Sequence, residues 1–128
     1  MDVSFDSRIP IYIQLAALMT GKIISGQWGP GNKIDSVREL AVTYQVNPNT
    51  VQRALSEMER EGLVYAERTS GRFITKDTDR LESARQTKAH KEIERFLREM
   101  EDLGYEPSMC IPLLERYVRE GASIHESD

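Results

Sequence analysis

The stretch from Lys33 to Lys76, KIDSVRELAVTYQVNPNTVQRALSEMEREGLVYAERTSGRFITK, constrains this chain more than any other. Ser36 with Glu39 three residues later matches a capping box, so a helix is expected to open near Val37, with Val37, Leu40 and Ala41 on its buried face, and to close near Tyr44. Gln45–Asn47 then form a short turn. Asn47 suits an N-cap and Pro48 a first helical position, which predicts a second helix from about Pro48 to Glu61. Val51, Ala54, Leu55 and Met58 face inward there, and Gly62 ends it. Two β-prone runs follow, Leu63–Glu67 and Arg72–Lys76, with Ser70–Gly71 at the tip. Helix, turn, helix and hairpin in that order describe a winged helix-turn-helix, a module that lays its second helix in the major groove of DNA.

The flanks fit around this module. Residues 1–9 read as extended, with Val3, Phe5 and Ile9 as anchors. Pro10 can start a helix, because its missing N–H is not needed in the first turn. Ile11, Leu15, Leu18, Met19 and Ile23 recur on one face, Gly26 stops that helix, and Gln27–Asn32 must be a loop. Beyond a polar boundary at Lys76–Asp79, a long amphipathic helix is predicted from Arg80 to about Leu103 and broken by Gly104. A last helix covers roughly Pro107–Glu120, with Pro112 set to delay or bend it. The fold class expected is mainly α with a small β-hairpin. Residues 1–77 form a winged helix-turn-helix domain, 78–122 a two-helix dimerisation segment, and 123–128 a flexible tail.

The first residues of the second helix carry the chemistry. Asn49, Gln52, Arg53 and Ser56 fall on the side away from Val51, Leu55 and Met58, and all can hydrogen-bond. Asn and Gln match adenine edges, and Arg matches guanine edges or phosphate. Thr50 can donate to phosphate or touch a thymine methyl, and the helix N-terminus opening at Asn47 itself favours a phosphate. Taken singly, each residue fits an ordinary solvated surface; their grouping at the start of a capped helix after a tight turn favours DNA contact. Arg38 lies in the first turn of the preceding helix, where a cation opposes the helix dipole. Gripping phosphate explains that placement, and a salt bridge to Asp35 or Glu39 is the alternative. At the hairpin, Ser70–Gly71–Arg72 lets the backbone approach the minor groove while Arg72 neutralises phosphate; a plain turn is the alternative. Ser36, which opens the first helix of the pair, completes the expected DNA-facing set.

A net charge of −4 argues mildly against a nucleic-acid partner. The acidic excess lies in the C-terminal third, however, and Arg38, Arg53, Arg68 and Arg72 can cluster on one face of a near-neutral first domain. No apolar run is long enough to span a membrane and no leader pattern opens the chain, so a cytoplasmic protein is expected. Cys110 is the only cysteine, which excludes an intrachain disulfide and reads as a small buried hydrophobe. His90 and His125 stand apart from any nucleophile or carboxylate at useful spacing, so neither an enzyme nor a metal site is expected, and no cofactor.

These motifs together resemble the GntR family of bacterial transcription regulators. The match begins at Pro10-Ile11-Tyr12 with Gln14. It runs through Gly26, Gly31 and Ser36-x-Arg38-Glu39-Leu40-Ala41, then Val46-Asn47-Pro48-Asn49-Thr50-Val51 with Arg53-Ala54. Glu57, Glu61-Gly62-Leu63, Gly71 and Phe73-Ile74 close it. The short helical remainder resembles the YtrA-like branch, which carries two C-terminal helices for dimerisation in place of a ligand-binding domain. The resemblance implies a homodimer on an inverted-repeat DNA operator, usually as a repressor, often of ABC-transporter genes. By position it assigns DNA contacts to Arg38, Asn49, Thr50, Gln52, Arg53 and Gly71. This chain departs at Asp35, where the family usually has proline, and at Thr69 and Arg72, which replace the usual glycine and threonine of the wing tip.

The tail argues for pairing independently. Ala89, Ile93, Phe96, Leu97, Met100 and Leu103 share one side of the long helix, and too few residues follow Gly104 to cover them. Two copies would bury both stripes, with Leu113, Leu114, Tyr117 and Val118 completing the interface. Burying Phe96, Leu97 and Met100 would contribute about 1.5–3 kcal/mol each. The alternative is that the helix packs back on its own winged domain through Leu81 and Ala84. A different class of function also fits the fold: a winged-helix protein-interaction module without DNA sequence specificity. The polar face of the second helix argues against it, since a protein-binding face would carry exposed aromatics.

Overall fold

Five helices and one hairpin make up the chain in a computed structural model that describes residues 4–126. Val3, expected as an anchor, lies outside the described residues, as do 127 and 128. The elements are α1 (Ile11–Ile24), α2 (Val37–Tyr44), α3 (Pro48–Arg60), β1 (Val64–Glu67), β2 (Gly71–Ile74), α4 (Thr78–Asp102) and α5 (Pro107–Glu126).

Local chemistry accounts for most boundaries. The Ser36 hydroxyl accepts the Glu39 backbone N–H at 3.1 Å, and the Glu39 carboxylate accepts the Ser36 N–H at 3.0 Å, so the capping box that opens α2 is complete. Gln45 takes a left-handed conformation (φ 56°), which stops α2 and turns the chain. The Asn47 side chain then caps α3 by accepting the Asn49 N–H at 2.8 Å, and Pro48 follows in the first turn. Pro10 occupies the N-cap of α1 with extended backbone, one place earlier than a first helical residue. The segment before α1 is pinned by Gln14. Its amide donates to the Asp6 and Ile9 carbonyls at 2.7 and 2.8 Å and accepts the Asp6 N–H at 2.7 Å. Phe5 packs on the core as expected, while Ile9 and Ile11 remain substantially exposed.

β1 and β2 pair antiparallel with Val64 opposite Ile74, Tyr65 opposite Phe73, Ala66 opposite Arg72 and Glu67 opposite Gly71. The chain before α2 adds a short third edge. Ile34 N–H donates to the Arg72 carbonyl and Ile74 N–H to the Asn32 carbonyl, each at 2.9 Å, with Lys33 bridging Phe73. Alternation then sends Ile34, Val64 and Ile74 into the core and leaves Tyr65 and Phe73 stacked and half-buried on the other face, 5.7 Å between ring centroids.

One hydrophobic core joins these elements: Leu15, Met19 and Ile23 of α1, Leu40, Ala41 and Tyr44 of α2, Val51, Ala54, Leu55 and Met58 of α3, and Ile34, Leu63, Val64, Ile74 and Leu81 around them. The chain divides into two compact units, Met1–Arg85 and Gln86–Asp128. The first two turns of α4 therefore belong with the winged module, where Leu81 is buried and Ala84 packs against the core. Asp77 caps that helix by accepting the Arg80 N–H at 3.0 Å, which starts α4 two residues before Arg80.

In the second unit α4 ends at Asp102. Gly104 (φ 92°) supplies the left-handed turn, and Tyr105 N–H returns to the Met100 carbonyl at 3.0 Å. α5 starts at Pro107 and continues through Pro112 to Glu126, past the expected end at Glu120 and into the segment read as a tail. Pro112 removes only the one N–H that would bond the turn before it. Cys110 is fully buried, with its Sγ 3.6 Å from the Glu106 carbonyl, as a small apolar residue would be. Among the described residues no helix is long and apolar enough to cross a membrane.

Candidate nucleic-acid interface

α3 has two unlike sides. Val51, Ala54, Leu55 and Met58 are buried, whereas Asn47, Asn49, Gln52, Arg53 and Ser56 are exposed and Thr50 is half-buried. The polar residues singled out in the sequence thus share the solvent side of one capped helix. Capping commits only part of this chemistry. Oδ1 of Asn47 is taken by the Asn49 N–H, leaving its amide donors, and the Ser36 hydroxyl accepts the Glu39 N–H.

The arginines separate by partner. Arg38 is exposed in the first turn of α2, and neither Asp35 nor Glu39 forms an ion pair with it; the Glu39 carboxylate is turned to the Ser36 N–H instead. Those hydrogen bonds from Ser36, backbone first, hold the Glu39 carboxyl below the ordinary glutamate range. Arg60 pairs with Glu57 at 2.5 Å. Arg53 has a different neighbour: its guanidinium lies over the ring of Tyr12 in α1, 3.9 Å from the centroid.

At the wing, Ser70 and Gly71 are exposed. Gly71 has φ 107°, a conformation that suits glycine, and the Lys33 side chain crosses it: a Cβ built there would meet Lys33 Cε at 3.2 Å. Arg72, expected to neutralise phosphate, is instead paired within the chain: its Nε donates to Glu59 of α3 at 2.5 Å, both side chains being mostly covered (22% and 32% exposed). This ion pair ties the hairpin to α3. Sequence patterning missed it because the partners are 13 residues apart on different elements. The Tyr12–Arg53 contact was missed for the same reason, although Tyr12 stands within the Pro10-Ile11-Tyr12 motif.

A profile of the bacterial regulatory proteins of the gntR family matches residues 11–74, from the first residue of α1 to the last of β2. The chain is also 38% identical over 121 residues to the HTH-type transcriptional regulator YhcF of Bacillus subtilis, covering 94% of this chain and all of YhcF. The chain belongs to the GntR family. The HTH-type transcriptional repressor YtrA of the same organism is 42% identical over 71 residues, 56% of this chain and 55% of YtrA. With YhcF it places this GntR protein among the YtrA-like regulators. A GntR family transcriptional regulator from Listeria monocytogenes superimposes with TM-score 0.81 at 36% identity over 88% of this chain and 98% of that one. The AraR DNA-binding domain, solved in complex with operator ORE1, shares the fold over 59% of this chain and 94% of that one, at 25% identity and TM-score 0.51. This GntR chain is therefore a DNA-binding helix-turn-helix regulator of transcription, and its relatives are regulators rather than enzymes. Among the described residues no cluster of histidine, cysteine and carboxylate side chains could hold a metal.

Proposed function

We propose that this GntR regulator is a homodimeric repressor that binds an inverted-repeat operator, each copy placing α3 in one major groove. Asn49, Thr50, Gln52, Arg53 and Ser56 face base edges and flanking phosphates, with Asn47 and the helix N-terminus at the entry. Ser36 and Arg38 hold phosphate from the start of α2, and Ser70 and Gly71 bring the wing backbone to the neighbouring groove. Arg72 joins them only as far as Glu59 releases it.

The observation that carries the dimer is that, among the described residues, the second unit has no buried apolar cluster of its own. Every member of the buried cluster lies at or before Leu81. Beyond Gln86, the large apolar side chains Ile93, Leu103, Leu113, Leu114, Tyr117 and Val118 are exposed, Val118 by 76%. Ala89 is exposed with them, and Phe96, Leu97 and Met100 are half-covered on the same helix. Among the described residues of this unit only Cys110 and Gly121 are buried, too little to offset the ordering entropy of its helices. A second copy supplies the missing surface by two-fold symmetry, and the same symmetry matches two half-sites. In this reading the winged module, which includes the first two turns of α4, binds DNA, and the helical segment beyond Gln86 pairs the two copies. Repression of an ABC-transporter operon follows the YtrA-like branch, whose namesake is itself a repressor.

Binding to duplexes selected from a random pool tests this. The selected sites should be inverted repeats, a full site should bind much more tightly than a half-site, and affinity should fall steeply with salt as phosphate contacts exchange with counterions. A salt-insensitive interaction with no sequence preference would instead favour a winged-helix protein-interaction module.

A further inference from the structure

We propose that Tyr12 is a positioning residue for base recognition, holding the Arg53 guanidinium in place through its ring face so that the full set of arginine donors is left for DNA. The inference rests on the reading above that Arg53 meets the operator.

Three observations carry it. Arg53 is the exposed arginine of the reading face of α3, and its guanidinium lies 3.9 Å from the centroid of the Tyr12 ring. The carboxylate one turn further along, Glu57, is drawn to Arg60 at 2.5 Å, and among the described residues no carboxylate forms an ion pair with Arg53. Most other arginines of the winged module are fixed the opposite way: Arg8 by Asp6, Arg60 by Glu57, Arg72 by Glu59 and Arg80 by Asp77. A carboxylate partner would occupy the N–H donors that read guanine and would have to be displaced at each binding event. A ring face restrains the planar guanidinium from one side and leaves its edge donors open. The fork is then ordered before DNA arrives, which lowers the rotamer entropy lost on binding. Tyr12 can do this because it is itself held. It is half-buried against the core, one turn from the fully buried Leu15, on a helix whose preceding segment is locked by Gln14.

The test uses the full chain, a duplex selected by the wild-type protein, and its single-base-pair variants. Arg53→Ala should abolish discrimination at one base pair in each half-site. Tyr12→Leu should reduce affinity and discrimination at that same base pair by about two- to fivefold, while Tyr12→Phe, which keeps the ring, restores both. In the Arg53→Ala background Tyr12→Leu should have no further effect on binding. The free wild-type protein should show Arg53 side-chain protons shifted upfield by the ring, a readout that does not depend on any variant folding. If Arg53→Ala leaves binding unchanged, the underlying placement of α3 fails and the inference with it. If Arg53 matters but Tyr12→Leu leaves discrimination intact, or costs the same without Arg53, or the ring shift is absent, positioning by Tyr12 alone is overturned.

Discussion

At the residue scale, the same side-chain types do different work according to what stands opposite them. Arg72 and Arg53 read alike in the sequence, yet Arg72 is anchored to Glu59 and Arg53 to an aromatic ring. Neutralising Glu59 should release Arg72 to phosphate. Glu59→Gln is expected to tighten DNA binding and steepen the dependence of log affinity on log salt by about 1.8 for a dimer on a full site, about 0.9 for the one added phosphate contact of each copy. An unchanged slope would mean that Arg72 stays with α3 even without the charge. Glu39 offers a second check. Its carboxyl is held below the ordinary glutamate value by hydrogen bonds from Ser36, so its folded pKa lies below its unfolded one. The stabilisation is present above the unfolded value, about 4.3, and is lost as pH falls through the folded one. The urea midpoint of the wild type should therefore fall over that acid window more than that of Glu39→Gln, and the carboxyl carbon of Glu39 should titrate late by NMR. Ser36 and Glu39 could be paired from sequence because a capping box is local, its ends three positions apart. Glu59 with Arg72 and Tyr12 with Arg53 could not, since only the tertiary fold brings them together.

At the element scale, the helix boundaries were legible wherever one or two residues set them, whereas the strands are shorter than expected, β1 starting at Val64 and β2 ending at Ile74. Ser36, Asn47, Pro48, Gly62 and Gly104 each mark a terminus that the structure keeps within two residues. Alternation predicted the hairpin but shifted β2 by one residue at its start, because Gly71 pairs with Glu67 despite its positive φ. The third edge at Lys33 carries no pattern of its own, as it is too short to alternate. Pro112 was the hardest feature to read: proline usually ends a helix, but near the first turns of α5 it removes only one bond, and the helix continues. The junction after α3 is the most exacting. Gly62 has φ 79°, a Cβ there would come within 2.8 Å of the Arg80 guanidinium, and that guanidinium donates to the Glu61 carbonyl at 3.3 Å. Gly62→Ala should lower unfolding free energy by about 1–2 kcal/mol, read from urea denaturation. Arg80→Ala alone should cost less, because the backbone strain is absent. Equal losses would assign the effect to the arginine contact.

At the scale of the whole molecule, the winged module accounts for itself and the second unit does not. The core of the first unit is continuous from Leu15 to Leu81, whereas α4 beyond Gln86 and α5 leave large apolar side chains in water. An amphipathic stripe was visible in the sequence, and pairing with a second copy is the proposal that accounts for it. Which residues a single chain would half-cover was not, because Phe96, Leu97 and Met100 differ from Ile93 and Leu103 only in how the helices of that unit lie. Met109 and Ile111 also proved exposed, adding apolar area that periodicity had not singled out. Phe96→Asp should yield a monomer by sedimentation, with a folded winged module and weak binding to a full site. A dimer of undiminished strength would move the interface elsewhere.

The most direct measurement is a crystal structure of the protein on a duplex it has itself selected. Two copies should straddle one face of the DNA, their α3 helices entering successive major grooves about 34 Å apart with Asn49, Gln52 and Arg53 at base edges. A complex in which α3 points to solvent while another surface of the chain holds the duplex would contradict the account.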